Sequence, residues 1–457
     1  MRNMKNTFIR LFFVTVVFVV SSCNDYLDKK PDDSFALPQT LDDLEGLLNS
    51  SDLTMNFAAV ALGEIASDSY YLDDASWRAM PNESDRTIYT WQPYSPEPAH
   101  WTLPYQAILY ANAVLEYLPG IAIPENEMHR AERLRGSALF FRAHQLFNLL
   151  HVFSKPYLPG GGNTQMGVVL RSKASLSEEL KRSSVEECYD FLIRDLKEAS
   201  ELLPEAGVHA TQPTKAAAYG ELARVFLVRG DMANAKEYAD SALFLQSDLM
   251  DYQNDIDPAA NLPIPRWNKE VLVDLSLNGH TFLNTARIRI PLKEYNNYEN
   301  TDIRKQAFFT TNANGEIIFK GNYNARNGNR FFCGPTTSEM YLIRAEANIR
   351  QNLLSDGLKD INYLRKHRFR EDDFLSLDFD DKEQALTILK EERRRELIFR
   401  GVRWSDIRRY IILDETEGGM ERLIDGNVYK MTAEDIIGYV YKLPDAVIDS
   451  GNLSQND

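Results

Sequence analysis

Aromatic rings and polar side chains are concentrated in residues 63–105 of the chain. Three of the five tryptophans fall in this stretch, among tyrosines, aspartates, asparagine and arginine. A sugar has an apolar C–H face that stacks on an aromatic ring, and hydroxyls that bond carboxylates, amides and guanidinium groups. We therefore expect a saccharide site formed by three rings and three polar side chains: Tyr70, Tyr71, Trp77, Asp68, Arg78 and Asn82.

A second aromatic and amide-rich segment spans residues 295–300. It contributes Tyr295 and Tyr298 as candidate ligand-binding residues at the rim of the same site. Each ring in the two segments has a structural alternative, which is to anchor a loop onto the rest of the fold. The second segment is also typical of an ordinary polar loop.

The chain carries no recognisable catalytic or metal-binding motif. A Gly-x-Ser-x-Gly elbow, a phosphate-binding loop and a His-Glu-x-x-His helix are all absent. His144 and His151 share a helical face but lie seven residues apart, too far to chelate one zinc ion. Cys188 and Cys333 could pair after export, although two cysteines do not make a disulfide framework. We predict no catalytic residue, no cofactor and no metal.

The first 22 residues are typical of a secretory signal, with basic residues, then a short apolar run and two serines. Cys23 follows directly, which predicts a lipoprotein signal in which this cysteine is acylated, for example with palmitate. More than one acyl chain gives stable membrane anchoring. Residues 23–35 are polar and acidic and form a predicted leader. The net charge of −16 disfavours nucleic acid as a partner.

Most of the remaining periodic signal is helical, because apolar residues recur every three or four positions. Predicted helices cover residues 131–153, 185–203, 214–229, 232–245, 339–351, 356–367, 382–399 and 404–412. Residues 214–245 match a tetratricopeptide-like hairpin, in which small residues let two helices approach and larger ones fill the space between hairpins. Residues 339–367 match it more loosely.

The predicted fold is mainly α, with stacked tetratricopeptide-like helical hairpins, an irregular loop-rich face and few short β-strands. The helical scaffold covers about 105–250 and 337–415, and the irregular ligand-facing segments about 63–104 and 251–335. Short β-like pieces lie at residues 271–275, 287–291 and 316–319. The charged run 391–396 lies within a predicted helix, where ion pairs between packed hairpins are its expected use.

Several ordered segments together resemble the SusD/RagB family of outer-membrane nutrient-binding lipoproteins. They are the leader from Cys23 and residues 214–231, 338–347, 392–409 and 443–456. The resemblance implies a single domain over residues 23–457, lipid-anchored in the cell outer membrane and exposed at the surface. It implies capture of an oligosaccharide, delivery to a SusC-like TonB-dependent transporter, and no catalysis. Arg400 stands where the family usually has an acid, which leaves one ion pair open.

Three alternatives stay open. The same rings suit a peptide ligand, which some branches of the family bind. A lipid-anchored glycoside hydrolase would need two carboxylates about 5–10 Å apart in a cleft. A pure assembly scaffold would bind no ligand and would expose a groove between hairpins.

Overall fold

Helical hairpins form most of the protein in its computed structural model, which describes residues 37–50, 54–175, 180–413 and 418–456. The predicted signal peptide, Cys23 and the leader 23–35 lie outside the described residues. Residues Leu41–Asp457 form one unit. Within the described ranges, no helix combines the length and the apolar character needed to cross a membrane.

The predicted mainly α fold is confirmed. The long helices are Ala99–Tyr117, Met128–Phe153, Val185–Leu202, Lys215–Arg229, Met232–Leu245, Thr337–Arg350, Leu354–Lys366, Lys382–Glu396 and Arg403–Ile412. Shorter α-helices are Leu41–Leu48, Leu62–Ala66, Asp74–Arg78, Glu83–Tyr89, Tyr252–Asp255, Leu292–Asn296, Ile303–Phe308, Ala433–Gly438 and Asp445–Gly451. Single 3₁₀ turns are Leu118–Gly120, Glu125–Glu127, Thr281–Leu283 and Glu371–Asp373.

The hairpin over residues 214–245 shows why the helices begin and end where they do. The Thr214 side chain accepts a hydrogen bond from the Ala217 amide and caps the first helix. Gly230 ends that helix at φ +75°, a left-handed conformation that glycine adopts without strain. Asp231 then caps the second helix by accepting from the Asn234 amide. Each long helix from Ala99–Tyr117 to Lys382–Glu396 packs on the next one along the chain.

Strands are few, as predicted, and form two-stranded antiparallel pairs in the described residues. The pairs are Tyr71–Leu72 with Ile288–Arg289, Met166–Val169 with Arg182–Ser184, Phe309–Thr311 with Ile317–Phe319, and Met420–Ile424 with Asn427–Met431. The last pair, here called the C-terminal hairpin, was not predicted. The expected β-like piece at 271–275 forms no strand, since only Val271 makes an isolated bridge, to Thr336.

The irregular segment 63–104 contains more helix than its sequence indicates. Three short helices occur there, and the helix expected from about residue 105 already begins at Ala99. These helices are five to seven residues long, too short for a 3.6-residue period to be visible in the sequence.

The charged run 391–396 forms buried ion pairs, which confirms its predicted structural use. Glu396 pairs with Arg368 at 2.8 Å and with Arg304 at 2.9 Å, and all three side chains are fully buried. Arg304 also pairs with Glu392 at 2.7 Å. Because Arg304 lies in the irregular segment 251–335 and Arg368 follows the helix Leu354–Lys366, these pairs tie the helix Lys382–Glu396 to both.

The packing also shows the surroundings of Arg400 and of the two cysteines, which the sequence left open. Arg400 is buried, with its guanidinium 4.1 Å from the centre of the Tyr323 ring and one N–H donated to Thr336 Oγ1 at 3.1 Å. Arg400 therefore makes a cation–π contact at the position where the sequence left an ion pair open. Cys188 and Cys333 are buried free thiols and do not pair.

Candidate functional site

A groove lies where the strand Tyr71–Leu72, the helix Leu292–Asn296 and the C-terminal hairpin meet the helices Lys382–Glu396 and Arg403–Ile412. It consists of two adjoining cavities of about 490 and 420 Å³. Both are lined by Asp68, Pro291 and Met420, and we call them together the Asp68 groove. Each cavity is within the size range of small-molecule sites.

Tyr71 is the exposed ring of the groove, with 42% of its surface accessible. Its backbone is held firmly, because Tyr71 pairs with Arg289 across the two-stranded sheet. The next residue, Leu72, donates its amide to the Tyr89 hydroxyl at 2.8 Å. Asp73 then caps the following helix by accepting from the Ser76 amide at 2.7 Å. The ring therefore stands on a fixed backbone, which limits the entropy lost when a ligand stacks on it.

The C-terminal hairpin forms one wall of the groove and is anchored by Arg422. The buried Arg422 guanidinium donates to the carbonyls of Ile65 at 2.7 Å and Ser67 at 2.8 Å, and also to that of Tyr89. It also lies 4.3 Å from the centre of the Trp91 ring. The hairpin thus rests on the same short segment that carries Tyr71.

Asp68 lies on the floor of the groove between two arginines. Arg403 donates to its two carboxylate oxygens at 2.7 and 2.9 Å, and Arg394 donates to Oδ2 at 2.9 Å. Burial alone would raise the pKa of Asp68, but the two guanidinium groups outweigh it and hold the pKa well below the ordinary value. Asp68 is therefore ionised and bound to three N–H donors, a poor arrangement for accepting a proton.

Glu294 provides a second carboxyl group beside Arg394, which donates to its Oε2. This carboxyl is buried, and burial raises its pKa; the charge of Arg394 lowers the pKa in part, and the negative charge of Asp68 raises it further. The charges on the floor are thus largely paired with each other. Such a surface offers donors and acceptors of fixed direction to ligand hydroxyls.

Two predicted ligand-binding rings are corrected by their burial. Tyr70 is 3% exposed, packs on Tyr89 and Phe399 at 6.0 and 6.2 Å between ring centres, and donates its hydroxyl to the Ile65 carbonyl. Tyr298 is 1% exposed and donates its hydroxyl to the Arg395 carbonyl at 2.8 Å. Tyr70 borders the Asp68 groove, but at this burial neither ring exposes a face on which a ligand could stack. Both rings therefore serve as the loop anchors that the sequence left as the alternative.

Three other predicted residues lie beside the groove rather than in its lining. Trp77 is half-buried and donates its indole N–H to the Arg86 carbonyl at 3.2 Å. Arg78 is exposed and pairs with Asp425 in the turn of the C-terminal hairpin. Asn82 is exposed and bonds the Glu97 carboxylate. Contact of these three with ligand remains a prediction.

Tyr295 lines a separate cavity of about 500 Å³, which we call the Tyr295 cavity. Its neighbours in the chain, Lys293, Glu294 and Asn297, line the Asp68 groove instead. The helix Leu292–Asn296 therefore contributes to both concavities. The sequence placed Tyr295 on the rim of one site, and the structure divides that region into two.

The main groove residues that sequence reasoning missed belong to the C-terminal hairpin. Asp425 and Gly426 form its two-residue loop, with φ +52° and +77°. Positive φ at both loop residues is the conformation that an Asp-Gly pair favours in tight hairpins. That dipeptide, between two short runs that contain β-formers such as Ile424 and Val428, was the available signal.

Across the residues that the structure describes, no cluster of three or more histidine, cysteine, aspartate or glutamate side chains is placed to hold a metal ion.

The fold and the groove together define a class: stacked helical hairpins that carry an irregular face with polar, ring-edged concavities. Two family models match, one described as "Starch-binding associating with outer membrane" over residues 25–227 and one described as "SusD family" over residues 336–450. The chain belongs to the SusD/RagB family.

Similar proteins agree with this assignment. The SusD-like protein P2 of Formosa agariphila is 25% identical over 380 residues, covering 70% of this chain and 73% of that protein. A SusD superfamily protein from Bacteroides thetaiotaomicron has the same fold, with a TM-score of 0.74, 20% identity and coverage of 92% and 100%. Surface glycan-binding protein A of Bacteroides uniformis gives a TM-score of 0.71, 17% identity and coverage of 91% and 99%.

Proposed function

We propose that this protein is a surface lipoprotein of the outer membrane that binds an oligosaccharide and delivers it to a SusC-like TonB-dependent transporter. The observation that carries the proposal is the exposed Tyr71 ring on a fixed backbone beside a floor of paired charges. Membership of the SusD/RagB family supports it, as does the description of the matching model as starch-binding and associated with the outer membrane.

In this proposal, both ring stacking and polar contacts contribute to binding. The Tyr71 ring receives the C–H face of a sugar, and the polar groups of the groove bond its hydroxyls. An aromatic contact of this kind contributes about 1 kcal/mol. The resulting affinity is modest, as delivery requires, because a ligand that is handed on must also dissociate.

The protein acts without catalysis in this proposal. A glycosidase needs one carboxyl group that gives a proton to the leaving oxygen and a second carboxylate that attacks or activates water. Asp68 is already bound by three guanidinium N–H groups, and Glu294 is buried beneath Arg394. Neither is available to a glycosidic bond in this arrangement.

The experiment measures binding of the purified protein to a panel of polysaccharides and peptides, for the unchanged chain and for Tyr71→Ala. Tyr94→Ala is the matched control, since Tyr94 is 39% exposed and lines neither cavity. Tyr71→Ala is expected to weaken binding of the best glycan about tenfold, which corresponds to about 1.4 kcal/mol. The control should bind as before.

Three outcomes would contradict the proposal. Equal binding by both variants would remove Tyr71 from the site. Binding of peptides but of no glycan would favour the peptide alternative, and release of shortened sugars would establish a hydrolase. The partner and the anchor are tested separately, by co-purification with a barrel protein and by loss of membrane association in Cys23→Ser.

A further inference from the structure

The Tyr295 cavity has a lining suited to a saccharide but different in charge from the Asp68 groove. Its inner wall is apolar and includes Tyr252, Phe309 and Ile317. Its outer edge carries exposed neutral polar side chains: Gln306, Thr310 and Thr311. Those three side chains make no hydrogen bond with any described residue, so their donors and acceptors are free for a ligand.

The cavity contains two cations without a carboxylate partner. Lys305 donates from Nζ to Asn300 Oδ1 at 2.9 Å, and its ammonium lies 4.7 Å from the centre of the Tyr295 ring. Arg370 is exposed, and its side chain forms no ion pair or hydrogen bond within the described ranges. Among the described residues, no carboxylate forms an ion pair with either group, so the lining carries two unpaired positive charges.

The single carboxylate in the lining is already committed. Asp302 is buried, and Arg304 donates to both of its oxygens at 2.8 to 3.2 Å. Acidic residues 371–373 follow Arg370 in the chain but do not line the cavity. The cavity is therefore locally cationic in a chain whose net charge is −16.

Tyr295 helps to fix the position of the Lys305 ammonium. Its ring face is covered by the Lys305 ammonium, which the cation–π contact and Asn300 hold in a fixed direction. An ammonium has three N–H donors, and Asn300 uses one of them. The others are available to an anion entering the cavity.

We propose that the Tyr295 cavity binds a sugar unit that carries a carboxylate or a sulfate ester, so that the glycan recognised by this protein is anionic. This inference rests on the proposed function and adds the charge of the ligand to it. Lys305 and Arg370 bond the anionic group, and the free amide and hydroxyl side chains bond the sugar hydroxyls. The contribution of the two cations falls as salt is added, because they are near the surface.

The test compares a charged and a neutral oligosaccharide with the same sugar backbone: an oligogalacturonate and its fully methyl-esterified form. A sulfated galactan oligosaccharide and its desulfated form make a second pair. Binding is measured by calorimetry for the unchanged protein, Lys305→Gln, Arg370→Gln and the control Lys366→Gln. Lys366 ends the helix Leu354–Lys366, is exposed and lies outside the cavity lining, so the control makes the same charge change nearby.

The unchanged protein is expected to prefer the charged member of at least one pair. Lys305→Gln and Arg370→Gln should each weaken that binding roughly three- to fivefold, as expected for an exposed ion pair, and leave binding of the neutral member unchanged. Lys366→Gln should have no effect. Raising the salt concentration should reduce the preference in the unchanged protein and have little influence in a double variant that combines Lys305→Gln with Arg370→Gln.

The results that overturn the inference differ from those that overturn the proposed function. Equal affinity for the charged and neutral members, with sensitivity to Tyr71→Ala retained, would refute the anionic ligand alone. Equally tight binding of sodium sulfate would assign the cavity to an inorganic anion, and tight binding of an acidic peptide would assign it to a protein ligand. No binding of any glycan, charged or neutral, would refute both proposals together.

Discussion

Replacing Glu64 by glutamine should change how the stability of the protein depends on pH. Glu64 lies in the short helix Leu62–Ala66 next to the floor of the Asp68 groove, and its side chain is buried. One oxygen accepts from the Gly401 amide at 3.0 Å and the other from Ser67 Oγ at 3.3 Å. Burial raises the pKa of this carboxyl from 4.5 to about 7, and the charge of Asp68 adds to the effect.

The sign of the effect follows from which state binds the proton. Between pH 4.5 and 7 the folded protein keeps Glu64 protonated while the unfolded chain ionises it. Stability from this group is therefore complete below pH 4.5 and is lost as pH rises through 7. A shift of this size corresponds to about 3 kcal/mol in all, of which about 2.5 kcal/mol falls between pH 5 and pH 8.

Glutamine stays neutral and can still accept from the Gly401 amide, so Glu64→Gln should lack this loss. The free energy of unfolding of the variant minus that of the unchanged protein should therefore increase by about 2.5 kcal/mol from pH 5 to pH 8. The two proteins are compared with each other because buried His151 is present in both and changes their stability with pH in the opposite direction. Burial, followed by the charge of Arg408, lowers the pKa of His151 to about 3, so its contribution is lost as pH falls below 6.5.

The assay is urea unfolding of both proteins at pH 5, 6, 7 and 8, with Glu83→Gln as a control at an exposed glutamate. The control should shift the whole curve by less than about 0.5 kcal/mol and leave its pH dependence unchanged. Parallel curves for Glu64→Gln and the unchanged protein would refute the reasoning, since they would mean that Glu64 is ionised in the folded state at neutral pH.

Two further predictions concern the helical scaffold. Gly357→Ala should lower the free energy of unfolding by about 1–3 kcal/mol, because the new Cβ would lie 2.5 Å from a side-chain carbon of the partner helix. At Gly46 a new Cβ would have no atom within 4 Å, so Gly46→Ala should instead raise the free energy of unfolding by about 0.5–1 kcal/mol. A change of the same sign in both variants would contradict the close packing at Gly357. Glu396→Ala should lower the free energy of unfolding by about 3–5 kcal/mol, because it leaves the buried Arg368 and Arg304 partly unpaired. A decrease below about 1 kcal/mol in chemical denaturation would show that these buried pairs contribute little.

The scaffold could be predicted from the sequence because its signals are local. The Thr214 cap, the left-handed Gly230 and the small residues between them act within one hairpin. The hairpin is decided by residues less than about one helix length apart. For the charged run 391–396, the local apolar period indicated only that the charges would be paired, because the partners Arg304 and Arg368 come from other segments of the chain.

The site could be predicted only in part because its contacts join distant segments. Arg394 and Asp68, which bond at 2.9 Å, are 326 residues apart in the chain. Tyr70 and Tyr71 are adjacent and chemically alike, yet one is sealed in the interior and the other is exposed. Which ring faces outward is decided by the pairing of the strand with residues 288–289, and composition does not carry that information.

The anchoring of the C-terminal hairpin through one arginine makes the wall of the groove exchangeable. Arg422 bonds backbone carbonyls, which every sequence supplies, and it also packs on the rings of Tyr89 and Trp91. The hairpin residues Ile424 and Met431 are buried in the core. Its outward residues Leu423 and Val428 face each other across the pair and are exposed. A variant that keeps Arg422, the buried Ile424 and Met431 and the Asp425–Gly426 loop is free to change the exposed positions of this wall. Evolution and protein engineering thus have a route to a different groove surface without refolding the helices.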